Sequence, residues 1–215
     1  MLEKSAFCGE KMNQLVEKIR CDGEQEEEKK AKDMIPDPLT EKFLKTRQIL
    51  MSGEVSEELA EKIVRQLLIL EADSDKPIYL YIDSPGGDVD AGFAIFDTIR
   101  FINAPVYTVG MGLVASAAAL ILLASPKDHR IGLPNSHYLI HQPSSGMKGV
   151  ATDIEIHAAE LAKTRAKLNE IISKETGKPV EQVAKDTDRD YWLNADEAQK
   201  YGLINKVIVK RSELK

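Results

Sequence analysis

Cysteine is nearly missing from this chain. Its 215 residues hold two, Cys8 and Cys21, and both fall within the first 36 positions. The bulk of the chain therefore has no disulfide framework and no thiolate metal site, and the usage fits a reducing, cytoplasmic compartment. An excess of basic residues is missing too. The 29 Lys and Arg stand against 35 Asp and Glu, a net charge of −6, and no Lys/Arg cluster offsets that balance, so nucleic acid is not an expected partner. The N-terminus has no continuous apolar run long enough for a secretory h-region, and no run in the chain is long enough for a membrane span. The most apolar stretch, Leu113 to Ala124, is about half a span, and Ser116 interrupts it. Nucleotide-binding loops are absent as well. Ser84-Pro85-Gly86-Gly87-Asp88 has no Lys-Ser/Thr behind it and no Gly-x-Gly-x-x-Gly pattern, which excludes a phosphate cradle and a dinucleotide fingerprint. Nor does any serine sit in a Gly-x-Ser-x-Gly elbow.

What is present is an ordinary globular composition, 43% hydrophobic and 30% charged, enough for one large domain with an extension. Residues 1–36 differ from the rest. Met12, Leu15, Val16 and Ile19 have helical spacing, but the run Glu24 to Lys30 is almost wholly charged, so a flexible or weakly ordered extension is expected there, with the folded domain over 37–215. Strands are expected at Gln48–Val55, Ile78–Ile82, Val106–Leu113, Arg130–Leu133, His137–Ile140 and Val207–Val209. Helices are expected at Ser56–Ala72 with Ser56 as N-cap, Asp88–Ile102, Ser116–Ala124, Thr152–Glu175 stopped by Gly177, Val180–Asp186 and Ala195–Tyr201. The alternation predicts an α/β fold.

Three side chains stand out. Ser116 lies among small residues in Met111-Gly112-Leu113-Val114-Ala115-Ser116-Ala117-Ala118-Ala119, between an apolar strand and an apolar helix. His141 follows Leu139-Ile140 and precedes Gln142-Pro143, where a strand must end. Asp190 closes Lys185-Asp186-Thr187-Asp188-Arg189. A serine hydroxyl is a poor nucleophile until a neutral imidazole takes its proton, and the imidazole needs a carboxylate to hold its tautomer. Each residue has an ordinary alternative. Ser116 fits an N-cap or a packing site. His129, His137 and His157 compete with His141. Asp186 and Asp188 compete with Asp190, which Tyr191-Trp192-Leu193 is expected to shelter. The Gly86-Gly87 turn reads either as a tight turn or as an oxyanion hole, with Gly87 and Ala117 offering amides to a developing negative charge.

These motifs resemble the ClpP family, the proteolytic subunits of ATP-dependent Clp proteases. The resemblance runs from about Leu44 to Val209. It is carried by Tyr79 to Gly87, Met111 to Ser116, Leu133-Pro134-Asn135-Ser136, Ile140-His141-Gln142-Pro143, Ala151 to Ile156 and Asp186 to Asp190. It implies a crotonase-like ββα spiral with a protruding handle helix over Thr152–Glu175. It implies a serine endopeptidase with Ser116, His141 and Asp190 as the triad and the amides of Gly87 and Ala117 as the oxyanion hole. It implies two stacked heptamers forming a tetradecamer, with Asp188 and Arg189 in ion pairs between rings. It also implies a partner AAA+ unfoldase that spends the ATP, polypeptide substrates, and no metal or cofactor on this chain. The chain departs from the family pattern at residues 1–43, at Asp83 and Asp88 beside the peptide groove, and at Ala117-Ala118, where Met-Gly is usual. The divergent N-terminus and Ala117-Ala118 keep one alternative open, a weakly active structural or regulatory subunit of a mixed complex with a paralogue. An acyl-CoA enzyme shares the crotonase-like fold and an oxyanion hole but needs no Ser–His–Asp set, so the three residues disfavour it.

Overall fold

The computed structural model describes residues 38–214. The extension proposed for 1–36, with its helical spacing at Met12 to Ile19, lies outside them. Helix α1 (Pro38–Lys45) comes first, and the unit that carries the sheet begins at Leu44.

Strand β1 (Gln48–Ser52), helix α2 (Glu57–Asp73), strand β2 (Ile78–Ser84), helix α3 (Val89–Phe101) and strand β3 (Val106–Ala115) follow in strict alternation. α2 and α3 each begin where a polar side chain caps one of the free amides of the first turn. Ser56 accepts from the Leu59 amide at 3.2 Å and Asp88 from the Ala91 amide at 2.7 Å. β1, β2 and β3 are parallel neighbours, and Ile49, Ile78, Leu80, Ile82, Val106 and Val114 are buried with Ile63 and Leu67 of α2 and Ile95 and Ile99 of α3. Helix α4 (Ala117–Leu122), built only of Ala, Leu and Ile, is buried along its whole length. Strands β4 (Arg130–Gly132) and β5 (His137–Ile140), helix α5 (Ala151–Thr176), helix α6 (Val180–Asp186), strand β6 (Tyr191–Asn194), helix α7 (Ala195–Tyr201) and strand β7 (Lys206–Val207) complete the order.

The path of β3 positions everything that matters. Its first half, Thr108 to Gly110, pairs with β4, whereas Leu113 to Ala115 pair with β5. Between the two halves the backbone turns at Gly112 (φ +55°), and the pairing with β2 shifts register between Ile82 and Ser84. The Asp83 carboxylate accepts the Leu113 amide freed by that break, at 3.0 Å. One strand thus serves two neighbours, β4 and then β5, as a winding sheet requires. β6 then pairs with β5 in antiparallel sense.

Most expected elements stand within two residues of their expected ends. β6 was not expected, and the closing strand is Lys206–Val207 rather than Val207–Val209, because Ile208 is already turned into the core while Val209 points to solvent. Helix α5 has two characters. Asn169 and Ile172 are buried, and Leu168 and Ile171 pack on the core, but Ile154 and Ile156 near its start are exposed.

Candidate active site

Ser116 occupies the step from β3 to α4 in a conformation that side chains avoid, φ 56° and ψ −121°. Such a backbone costs on the order of 1–3 kcal/mol and persists only where its surroundings impose it. Here they do. The Ser116 amide donates to the Leu139 carbonyl of β5 at 2.9 Å, and its carbonyl accepts the amides of Ala119 and Leu120 as α4 begins. The glycine turn presses against it. A Cβ on Gly86 (φ +88°) would lie 2.5 Å from the Ala115 oxygen and 2.7 Å from the Ser116 Cβ, so only glycine permits this approach.

Strand register brings the other two residues to Ser116. Ala115 pairs with Leu139, so the residue after β3 comes level with the end of β5. Ile140 pairs with Tyr191 in the antiparallel β5–β6 ladder, so the next position along each strand sets His141 beside Asp190. The result is a continuous line. His141 Nε2 lies 2.8 Å from Ser116 Oγ, and His141 Nδ1 lies 3.0 Å from Asp190 Oδ1. With Asp190 ionised, Nδ1 carries the proton and donates to it, which leaves Nε2 to accept from the serine hydroxyl.

The competitors are engaged elsewhere. His129 stacks on Tyr107 with ring centroids 3.9 Å apart, His137 sits exposed at the start of β5, and His157 Nε2 lies 2.8 Å from Ser145 Oγ. Asp186 accepts from the Tyr201 hydroxyl at 2.8 Å, and Asp188 from Arg165 at 2.8 Å. One expectation fails: Asp190 is not sheltered. Its side chain is 61% exposed, since β6 pairs on one side only and turns Tyr191 and Trp192 outward while Leu193 alone is buried.

Val55 and the glycine turn make an isolated parallel bridge in which the Val55 amide donates to the Gly86 carbonyl and the Asp88 amide to the Val55 carbonyl. That pattern turns the amide of Gly87 itself away from Val55. It also leaves no room for a side chain, because a Cβ at Gly87 would lie 2.3 Å from the Val55 oxygen. The Ala117 amide begins α4 beside the same turn. Of the departures in sequence, Asp83 serves the bend of β3 and Asp88 the start of α3. Ala118 is fully buried in the core, while Ala117 and Ala119 line the pocket next to Ser116, so the extra methyl of Ala118 does not narrow the site. That pocket, of about 30 Å³, is otherwise walled by Val89, Leu120, Leu123, Ile140 and Pro143. Its walls are almost wholly apolar.

The segment after His141 is tied to the Asp190 side. The Gln142 amide donates to the Thr187 carbonyl and its side chain to the Asp188 carbonyl, both at 2.6 Å. Within this chain Asp188 pairs with Arg165 of α5. Sequence reasoning missed Gln142, Arg165 and the whole of β6. Among the described residues no group of three or more His, Cys, Asp or Glu side chains gathers as a metal site, and no helix is long and apolar enough to cross a membrane.

Comparisons with known proteins agree in direction. The model of the Clp protease family matches residues 29–211, beginning N-terminal to the stretch legible as a resemblance. The chain is 65% identical over 192 residues to the ATP-dependent Clp protease proteolytic subunit 2 of Treponema denticola, covering 89% of this chain and 96% of that protein. It is 46% identical over 196 residues to the proteolytic subunit 3 of Rhizobium meliloti, covering 91% of this chain and all of that protein. Among solved structures, a ClpP1 mutant from Listeria monocytogenes superposes with a TM-score of 0.77 at 46% identity, over 82% of this chain and 99% of that one.

Proposed function

The chain belongs to the Clp protease family and is a serine protease of the ClpP type, and from that premise we propose that Ser116, His141 and Asp190 carry out its peptide-bond hydrolysis. The observation behind this reading is the unbroken line from Ser116 Oγ through His141 to Asp190, at 2.8 and 3.0 Å. His141 Nε2 takes the hydroxyl proton as Ser116 Oγ attacks the scissile carbonyl. Asp190 holds the imidazole in that tautomer and stabilises the imidazolium. The amides of Gly87 and Ala117 receive the oxyanion, where preorganised donors lower the barrier most. His141 then gives its proton to the leaving amine, and water repeats the sequence on the acyl-enzyme. The apolar walls next to Ser116 favour an apolar residue before the scissile bond.

This chemistry requires no metal and no cofactor on the chain. ATP is spent by a Clp-type AAA+ unfoldase that delivers unfolded polypeptide. The exposed start of α5, with Ile154 and Ile156 uncovered, supports self-assembly into two stacked heptameric rings, with α5 as the inter-ring handle and Asp188 and Arg189 at the same junction, in rings of this chain alone or mixed with a paralogue. The peptidase domain is assigned to 37–215 and the extension to 1–36, in the cytoplasm. The intact line favours an active subunit over a structural one. Labelling with a fluorophosphonate tests the core of this reading. Modification at Ser116, lost in His141→Ala, is expected, and modification at any other serine overturns it.

A further inference from the structure

A second cavity adjoins the Ser116 pocket, and its charged walls are mostly of one sign. It measures about 310 Å³ and lies between the start of α3, the segment after His141 and the middle of α5. Val89 and Pro143 wall both cavities, so the larger groove is within reach of a side chain that neighbours one held beside Ser116. Asp88 and Asp90 flank Val89 at its edge, and Glu160 stands across on α5. Asp88 accepts the Ala91 amide on one oxygen and has no ion-pair partner among the described residues. Asp90 has no ion-pair partner among the described residues, whereas Glu160 is neutralised by Lys163 at 2.7 Å. The one histidine in the groove, His157, is occupied with Ser145. Two unpaired carboxylates thus stand one residue either side of a wall shared with the Ser116 pocket. A concave surface of one sign concentrates the opposite charge and repels its own.

We infer that Asp88 and Asp90 set a charge specificity for the reaction: the segments cleaved best carry lysine or arginine at the residue seated in this groove, close to the apolar residue held beside Ser116. The inference rests on Ser116 as the nucleophile and names the class of polypeptide that this nucleophile meets. Lysine and arginine have the reach to lay an apolar stem along Val89 and Pro143 and to end at the carboxylates. Glutamate at the same position meets repulsion without a compensating partner.

The test is a set of fluorogenic peptides sharing one apolar residue at the cleaved bond, with Lys, Gln or Glu placed in turn at each flanking position. They are hydrolysed by the assembled full-length chain and by Asp88→Asn/Asp90→Asn, since asparagine keeps the helix cap. At one flanking position kcat/KM for Lys over Glu should be about tenfold at low salt, because two exposed charge pairs each contribute modestly. The ratio should shrink as salt screens it and fall close to one in the double variant. Each ratio is internal to one protein, so a change in folding or overall turnover cancels. Equal rates for Lys and Glu at every position, or a preference that survives in the double variant, overturns the inference while Ser116 keeps its role. Absence of cleavage of every peptide removes the reading beneath it, and the inference falls with it.

Discussion

Ser116 and Asp190 end the same hydrogen-bonded line, yet the molecule holds them in opposite ways. Ser116 sits on a wholly buried helix, under a glycine turn that admits no side chain, with its amide fixed to β5. Asp190 sits 61% exposed at the head of an edge strand only four residues long. The geometry at Ser116 is a property of the core. The geometry at Asp190 rests on the pairing of β5 with β6 and on the ties that Gln142 makes to Thr187 and Asp188. An exposed hydrogen bond to a carboxylate competes with water, so whatever covers this edge strengthens the line.

The contrast is most sharply tested at its ends. Ser116→Ala should lower peptide hydrolysis on the order of a million-fold, leaving folding and assembly intact. Activity within a few-fold of the parent chain would remove the buried end from the comparison altogether. Asp190→Asn should cost less, roughly ten-thousandfold, since a misoriented imidazole remains beside an intact nucleophile. If both substitutions cost the same in assembled protein and in separated subunits, exposure of the acid has no bearing on catalysis.

Two smaller effects separate the elements behind each end. Ile154 is exposed on the projecting half of α5, at the proposed junction between rings. Ile154→Glu would bury an unpaired charge there, at about 3–5 kcal/mol per site. Light scattering should then report smaller assemblies, and peptide hydrolysis should fall with them. An unchanged assembly with unchanged activity would make this half of α5 an ordinary surface helix. On the buried side, Tyr138 of β5 accepts a hydrogen bond from Ser136 at 2.9 Å, and burial pushes its hydroxyl up to about 12. The unfolded chain releases that proton first, near pH 10, so this stabilisation is complete below about 10 and is lost as pH rises through about 12. The loss amounts to at most about 3 kcal/mol. Tyr138→Phe should cost about 1 kcal/mol at neutral pH and flatten the alkaline decline in denaturant titrations. A decline as steep as the parent's would assign it to other groups, Tyr201 among them, whose hydroxyl burial also pushes up.

Sequence patterns anticipated the two ends unequally, for a physical reason. Ser116 and His141 follow long or strongly apolar strands, whose periodicity and small-residue exits are local signals. The left-handed backbone at Ser116 is not such a signal, because Leu139 and Gly86, distant in sequence, impose it. β6 is short and paired on one side, and its Tyr191 and Trp192 face outward, so it has no apolar alternation to read. The one local mark near it is the capping box of Asn194 and Glu197, which announces α7 and not the strand before it. Asp190 was therefore identifiable by family resemblance, while the shelter expected from its aromatic neighbours was mistaken. Asp83 and Ala118, which looked like changes to the substrate site, turned out to be tied to a strand break and to the core.

The ladder between β5 and β6 has a consequence for the position of Asp190. Four residue pairs hold β6 in place, and a one-residue slip would reverse every side chain on it. Fraying of such an outer strand needs far less free energy than global unfolding. Were β6 to lift, Asp190 would leave His141, while Ser116 and the glycine turn, which make no backbone hydrogen bond to β6, would keep their ties to β5 and Val55. Such a molecule would remain folded with Ser116 in place and Asp190 withdrawn, so the hydrolysis proposed for this line would depend on the seating of one short strand.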